Sequence, residues 1–339
     1  MSKPKVSMIV SNLNGMQLNL IKDCVDSLIK PNYPNWELIV VDNASTDNSV
    51  EYLKNRFKKH ANCFIVQNPI NMYSQGLNLG AKKASGKYLA YFNNDVAITK
   101  DYLENLVREL EKNPKLAIAQ GKLLNYKDRK FIDSAGETMD FFGNPVTIGA
   151  KERDLGQFNN VEDILSASGS ACMIKKSIFE KIGGYDPSYG IGYEDMDLAL
   201  RTRRLGYIVK RFPEAVVYHK RAATDLADFI RVKVKWHFNK NRLTTMIKNY
   251  PSGLLIQTLP VTLGLYIFIM LYEWVVKNNW KIGWVRLTSL IWIVLNLVTI
   301  LNSREKINKM GAKILSDKDY ALFSSKSLFS IFKHFASIK

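Results

Sequence analysis

Three short stretches of this chain carry residue types that could do chemistry. In residues 89–97, LAYFNNDVA, an apolar run stops abruptly at Asn93, Asn94 and Asp95. Such a run reads as a buried strand that delivers amide and carboxylate groups to a cleft at its carboxyl end. A carboxylate flanked by amides suits a hard cation such as Mg²⁺ or Mn²⁺ held against a diphosphate, although Asn and Asp are also common turn residues. A second acid, Asp42, ends the apolar run 36–41. Two strand-end carboxylates on one sheet edge point to a single site with a nucleotide ligand, since a carboxylate can accept the imide N–H of uracil or thymine. The third stretch, GGYDPSYGIGYEDMDLALRTRRLGY, places Glu194, Asp195 and Asp197 in the first turn of a helix expected to run to Leu205. First-turn acids are commonly only partners of the helix dipole. Arg201, Arg203 and Arg204 follow on that helix, where pairing with an acid is the simpler role.

The elements that must position these residues are legible as an alternation. Apolar runs at 6–10, 36–41, 64–67 and 88–92 are separated by helical patterns ending near Leu28 and Phe57, over 74–84 and over 101–112. Thr46 or Asp47 is the expected cap of the second helix. Alternation of this kind predicts an α/β fold with right-handed crossovers and a mostly parallel central sheet. The polar turn Ser11–Gly15 lacks G-x-G-x-x-G, and the chain has no G-x-x-x-x-G-K-[ST], which argues against dinucleotide enzymes and P-loop NTPases. Residues 125–163 read as loops and short strands, with an acceptor site beneath them as one reading. The small-residue run 166–171 fits either close approach of a ligand or tight packing.

VDNASTDNS and NMYSQGLNLGAKKASGKYLAYFNND resemble the inverting glycosyltransferases of family 2, which have the GT-A fold, and most closely the rhamnosyltransferase-type, membrane-associated subgroup. The resemblance covers residues 4–250. It implies that Asp42 contacts the base and that the Asn93-Asn94-Asp95 stretch stands where the family has D-x-D, holding the metal on the sugar-nucleotide diphosphate. Asn93 departs from the family's first carboxylate, and Met72-Tyr73 replace the Gly and Phe that usually follow the Asn matched by Asn71. By the same resemblance Asp195 is the general base, Glu194 orients the acceptor or the base, and His219 lies near the metal or diphosphate. The expected nucleotide-sugar site is Asn12, Asp42, Asn71, Gly76, Asn78, Asn94 and Gly169, and the expected Mg²⁺ or Mn²⁺ site is Asp95, His219 and Asn93. One base, one metal and no carboxylate nucleophile imply a single inversion. The absence of Q-x-x-R-W favours single-sugar addition over polymer synthesis.

The formal charge of +17 over 339 residues calls for anionic partners. Residues 222–249 form a basic amphipathic pattern with a Trp, residues 253–276 are apolar over a length that can span a bilayer, and 287–301 are a shorter apolar run. A membrane explains the charge better than nucleic acid, for which no stacking module is present. The expected organisation is a GT-A catalytic domain over 1–222, a basic amphipathic helix over 223–252, a membrane hairpin over 253–302, with a pair of re-entrant or interfacial helices as the alternative, and a basic amphipathic tail over 303–339. In that tail Phe323, Leu328, Phe329, Phe332 and Phe335 are the anchor residues. The first fifteen residues lack a signal-peptide pattern, and three cysteines without metal spacing fit a reducing compartment. Together these give an enzyme at the cytoplasmic face of the cell membrane that uses a UDP- or dTDP-type sugar donor, rather than GDP, and a lipid-linked glycan acceptor. A catalytically silent binding module and a transferase acting directly on polyprenyl phosphate are the alternatives.

Overall fold

The computed structural model describes residues 2–221, 228–311 and 315–324, with the side chains of α7 described from residue 232 onward. The first half alternates β1 (Val6–Asn12), α1 (Ile21–Leu28), β2 (Trp36–Asn43), α2 (Ser49–Phe57), β3 (Cys63–Asn68), α3 (Tyr73–Lys83), β4 (Tyr88–Asn93), β5 (Val96–Ile98) and α4 (Tyr102–Lys112). Then come β6 (Leu116–Asn125), β7 (Ile132–Ser134), β8 (Glu137–Met139), β9 (Pro145–Thr147), β10 (Glu162–Asp163), β11 (Ala171–Lys175) and α5 (Lys176–Lys181). A 3₁₀ turn at Pro187–Tyr189 leads to α6 (Glu194–Arg204) and β12 (Ile208–His219). The described remainder is helical: α7 (Asp228–Asn249), α8 (Ser252–Val275), α9 (Trp280–Leu295), α10 (Leu297–Lys309) and α11 (Asp317–Tyr320).

The main sheet has the order β10-β12-β6-β11-β4-β1-β2-β3. Strands β4, β1, β2 and β3 run parallel, as do β6 and β12. Between these two parallel blocks β11 runs antiparallel to both β4 and β6, so the sheet is mixed. The sheet is thus mostly parallel, as expected, and β11 interrupts it because the chain reaches that strand through the 125–163 excursion instead of a crossover helix. The central strands are apolar on both faces because helices cover both: α1 and α4 pack on one core, α3, α5 and α6 on the other. Helix α4 shows the cause, with Tyr102, Leu103, Leu106, Val107 and Leu110 buried at helical spacing.

Other boundaries depart from the sequence reading for local reasons. Helix α2 begins at Ser49 with Asn48 as its N-cap, whereas the Asp47 carboxylate accepts from the backbone N–H groups of Met16, Gln17 and Ser49 and ties down the turn after β1. The second apolar run is not one straight helix. Helices α9 and α10 meet at a 61° bend, where Asn296 takes a non-helical conformation and donates to Trp292 O. Beyond the bend, Arg304 of α10 donates to the Ile247 and Tyr250 carbonyls at the end of α7. Phe323 is not a surface anchor either, being buried and stacked on Phe141 at 5.3 Å. Leu328, Phe329, Phe332 and Phe335 lie outside the described residues. Among the described residues α8 is the one single helix long and apolar enough to cross a membrane, and the bent pair α9–α10 passes the same test only if it is taken as one span.

One buried carboxylate joins the helical part to the sheet part. Asp197, fully buried in the first turn of α6, accepts from Arg201 Nε at 2.8 Å, Lys248 Nζ at 2.9 Å, Asn249 Nδ2 at 2.9 Å and Tyr189 Oη at 3.2 Å. Burial alone would raise its pKa, but the Arg201 and Lys248 charges and the Asn249 bond outweigh that and hold it far below the carboxylate range. A depressed carboxylate stabilises the fold above its unfolded pKa, about 3.9, and that contribution is lost as pH falls below it. Removing one member of such a cluster costs about 3–5 kcal/mol because the remaining charges stay buried. Asp197→Asn is therefore expected to lower unfolding stability by that order at pH 7 and to flatten the acid limb of the stability–pH curve. Chemical unfolding measured from pH 3 to 7 checks both; an unchanged curve would contradict the role given to Asp197.

Candidate active site

Parallel register brings the polar strand ends together. Ser11 of β1 lies opposite Asn93 of β4, and Asn12 opposite Asp42 of β2. These ends border a cleft of about 480 Å³, whose walls include Ser11, Asn71, Tyr73, Asn93, Asn94 and Asp95, closed on the far side by Lys233 and His237 of α7. An amide relay runs under it: Asn94 Nδ2 donates to Asn12 Oδ1 at 2.9 Å, and Asn12 Nδ2 donates to Asp42 Oδ1 at 2.8 Å. Asp42 is buried and also accepts from Ser45 Oγ at 2.6 Å and Ser45 N at 3.0 Å. Only a glycine fits at position 15, where a Cβ atom would stand 2.3 Å from Asn12 Oδ1.

On the other side of the cleft, β12 ends at His219 opposite Val96, immediately after Asp95. His219 Nε2 lies 3.2 Å from Asp95 Oδ2, and His219 Nδ1 lies 2.7 Å from Asp133 Oδ2. Arg221 Nε donates to the other Asp133 oxygen, and Arg221 Nη2 donates to the Asp133 carbonyl at 3.1 Å. Burial would lower the His219 pKa, but hydrogen bonds to Asp133 and Asp95 and their charges win, raising it to about 9. Loss of the Nε2 proton would leave a carboxylate oxygen and an imidazole nitrogen side by side, the far ring nitrogen held by a second carboxylate, a donor pair of the kind that takes a divalent cation. Among the described residues no group of three or more His, Cys, Asp or Glu could hold a metal ion.

Asn93 is engaged elsewhere. Its Oδ1 accepts from Tyr73 Oη at 2.6 Å, and its Nδ2 donates to Ser170 Oγ at 3.4 Å. Tyr73 Oη also lies 3.4 Å from Gly169 O, and Gly169 N donates to Asp195 Oδ2 at 2.9 Å. Tyr73 thereby links the end of β4 to the loop that holds Asp195. Asp195 Oδ1 accepts from Met196 N at 2.7 Å. Burial raises the Asp195 pKa, and burial together with the Asp195 charge raises that of the buried Glu194. The turn before them is strained: Tyr193 has φ +68°, held by its hydroxyl bond to Gly143 O at 2.9 Å.

Several expected residues serve other contacts. Asn78 spends both ends of its amide on the Tyr185 backbone, at 2.7 and 3.0 Å, and ties α3 to the turn after α5. Gly76 lets α3 approach β2, where a Cβ atom would meet Asn43 Oδ1 at 2.2 Å. Gly169 acts through its N–H on Asp195. The structure adds three residues that no sequence pattern marked: Asp133, Tyr73 in its bridging role, and Glu137. The Glu137 carboxyl accepts from Ser134 Oγ and Thr147 Oγ1, and burial plus the Asp195 charge push it up to about 8.

Residues 7–183, more than half of the 339, match the sequence profile described as glycosyl transferase family 2. The chain belongs to this family. Residues 157–223 also match the profile described as the N-terminal domain of galactosyltransferase. Among family 2 relatives and similar proteins, the O-antigen biosynthesis protein RfbC of Myxococcus xanthus is 27% identical over 242 residues, 69% of this chain and 18% of that protein. An uncharacterized glycosyltransferase of Haemophilus influenzae is 33% identical over 222 residues, 64% of this chain and 65% of that one. A poly-β-1,6-N-acetyl-D-glucosamine synthase of Staphylococcus epidermidis is 22% identical over 261 residues, 77% of this chain and 59% of that one. The chain thus spans less than two thirds of each of these relatives. In fold it is similar to GalNAc-T7, solved with UDP, GalNAc and Mn²⁺ (TM-score 0.63, 15% identity, 98% of this chain and 58% of that one). It is also similar to the mannosyltransferase PcManGT of Pyrobaculum calidifontis, solved with GDP-Man and Mn²⁺ (TM-score 0.55, 16% identity, 91% and 86%).

The family 2 cleft yields a direct test of the His219 environment. A raised imidazole pKa means that the ion pairs stabilise the fold fully below about pH 6.5 and fade as pH rises through about 9. NMR titration of metal-free protein is expected to find His219 ionising near pH 9, and the Asp133→Asn variant to move it down. Titration at an ordinary value in both proteins would contradict the paired geometry.

Proposed function

We propose that this chain is a metal-dependent, inverting glycosyltransferase that moves one sugar from a UDP- or dTDP-type donor to a lipid-linked saccharide in surface polysaccharide assembly. The observation that carries the reading is that Asp95, paired with His219, borders the cleft beyond the sheet's carboxyl end, while Tyr73 on the same wall bonds Asn93 and reaches Gly169 O, the residue whose N–H holds Asp195. Its residue pattern resembles that of the rhamnosyltransferase-type subgroup. Relatives named for O-antigen biosynthesis and poly-N-acetylglucosamine synthesis support a polysaccharide setting, and the Mn²⁺ in both solved neighbours supports the cation.

Asp95 and His219 are the residues that would hold the cation, which supplies neutralising charge for the departing nucleoside diphosphate. Asp133 fixes the His219 ring and its tautomer. Asn12, Asp42, Asn71 and Asn94 form the donor's polar bed. Asp195 takes the proton of the acceptor hydroxyl as the new C–O bond forms and the bond to the diphosphate breaks. Two backbone N–H groups, Gly169 and Met196, stabilise its charge, while burial keeps neighbouring Glu194 protonated and able to orient the acceptor. With no second carboxylate acting as nucleophile, the anomeric carbon inverts once.

Helix α8 supports membrane attachment, since Ile256, Phe268, Leu271 and Val275 are exposed on it. The basic excess then faces an anionic surface at the cytoplasmic side. Transfer from labelled nucleotide sugars into extracted lipid-linked glycan is the test. Asp195→Asn is expected to cut transfer by about 10²- to 10⁴-fold, the usual worth of a general base, while nucleoside diphosphate affinity holds within about twofold. Full transfer by that variant would remove Asp195 as the base.

A further inference from the structure

Beside the cleft lies a second cavity, of about 580 Å³, between α7 and α9. Its wall is apolar and aromatic, built from Trp236, Trp280 and Trp284, with Lys233 and Lys281 as its cations. Trp280 and Trp284 are 58% and 54% exposed, although Trp274 stacks on Trp280 with ring centres 6.0 Å apart and meets Trp284 edge-on at 6.1 Å. Indoles left open to solvent but held by a third indole form a prepared surface rather than an unfilled core. The volume falls in the range of small-molecule sites, roughly 300–1,000 Å³.

Two residues line both spaces: Lys233 and His237 border the catalytic cleft on one side and this groove on the other. A ligand lying in the groove therefore has one end at the wall of the site that carries Asp95. His237 is fixed there, with Nδ1 donating to Tyr189 O at 3.0 Å.

We propose that the groove binds the isoprenoid diphosphate portion of the lipid-linked acceptor, with the prenyl chain against the tryptophans, the diphosphate between Lys233 and Lys281, and the sugar delivered past His237 into the cleft. The proposal rests on the transferase reading above and names where that acceptor is held. Three observations select this occupant. The indole wall suits an unsaturated hydrocarbon chain, whereas a saccharide alone would call for hydrogen-bonding groups. The two lysines complement an anionic head, which a neutral lipid would not use. Continuity with the cleft distinguishes a substrate's lipid from bulk phospholipid, which has no reason to reach the reacting end. The groove also lies on α9, which packs directly against the apolar helix α8.

The test is tryptophan-fluorescence titration of the detergent-purified full chain with farnesyl diphosphate, set against phosphatidylglycerol in the same micelles. Saturable quenching by farnesyl diphosphate, at least tenfold tighter than any response to phosphatidylglycerol, is expected. Thr288→Trp, which fills the groove, and Lys281→Ala, which removes one cation, should each weaken it about tenfold. Neither residue lines the catalytic cleft, so thermal stabilisation by UDP or dTDP with Mn²⁺ should persist in both variants and shows that they are folded. Equal response to phosphatidylglycerol, or unchanged farnesyl diphosphate affinity in both variants, would overturn the proposal and leave a bilayer contact. Loss of farnesyl diphosphate binding alone refutes only the groove; loss of nucleotide binding as well, in folded wild-type protein, refutes the transferase reading with it.

Discussion

The arrangement depends on a carboxylate that does no chemistry. Asp197 is buried at the start of α6 and collects an arginine, a lysine, an amide and a phenol from three separate segments. A buried charge is tolerable only when it is matched in this way. The match fixes α6 against the end of α7 and against the 3₁₀ turn before it. Two consequences follow. Glu194 and Asp195 share that first turn of α6, where the Gly169 N–H holds Asp195, and α7 is set where Lys233 and His237 border the cleft. The strained Tyr193 turn is sustained by the same packing, because its hydroxyl and ring are anchored in the 140s loop and on Phe238.

The sheet contributes the complementary constraint. Parallel register places Asn12, Asp42 and Asn93 at neighbouring carboxyl ends, and the long β12 strand brings His219 back beside Asp95. Each polar side chain there is oriented by another: Asn12 by Asn94 and Asp42, Asn93 by Tyr73, His219 by Asp133. Mutual orientation of this kind lets a site meet a charged ligand without reorganising first. At Asn93, where the residue pattern departs from D-x-D, the amide oxygen accepts from the phenol of Tyr73, one of the two departing positions after Asn71.

The sequence revealed what depends on short-range pattern. Apolar runs ending in Asp42 and in Asn93–Asp95, and the acids opening α6, were readable because strand ends and helix starts have local signatures. Asp133 and Glu137 were not, since they arrive through the excursion between β6 and β11, whose course is set by pairing across the sheet. The antiparallel β11 was hidden for the same reason. Asn78 and Gly76 carry the residue types of a ligand turn, yet both serve the packing of α3. Hydropathy marked α8 correctly as an apolar span-length helix but merged the end of α9 with α10, because a single Asn at position 296 barely lowers an average while it breaks the helix direction. Phe323 looked like an anchor because amphipathic tails and core-docking tails have the same composition.

The central claim is that one cleft takes a nucleoside diphosphate together with a divalent cation on Asp95 and His219. It is tested most directly by the thermal stability of the detergent-purified chain with UDP, dTDP or GDP, each with and without Mn²⁺. A rise in melting temperature is expected that needs both nucleotide and cation, is largest for UDP or dTDP, and disappears in Asp95→Ala. A folded protein that shows no such rise with any of the three, or the same rise in Asp95→Ala, would contradict it.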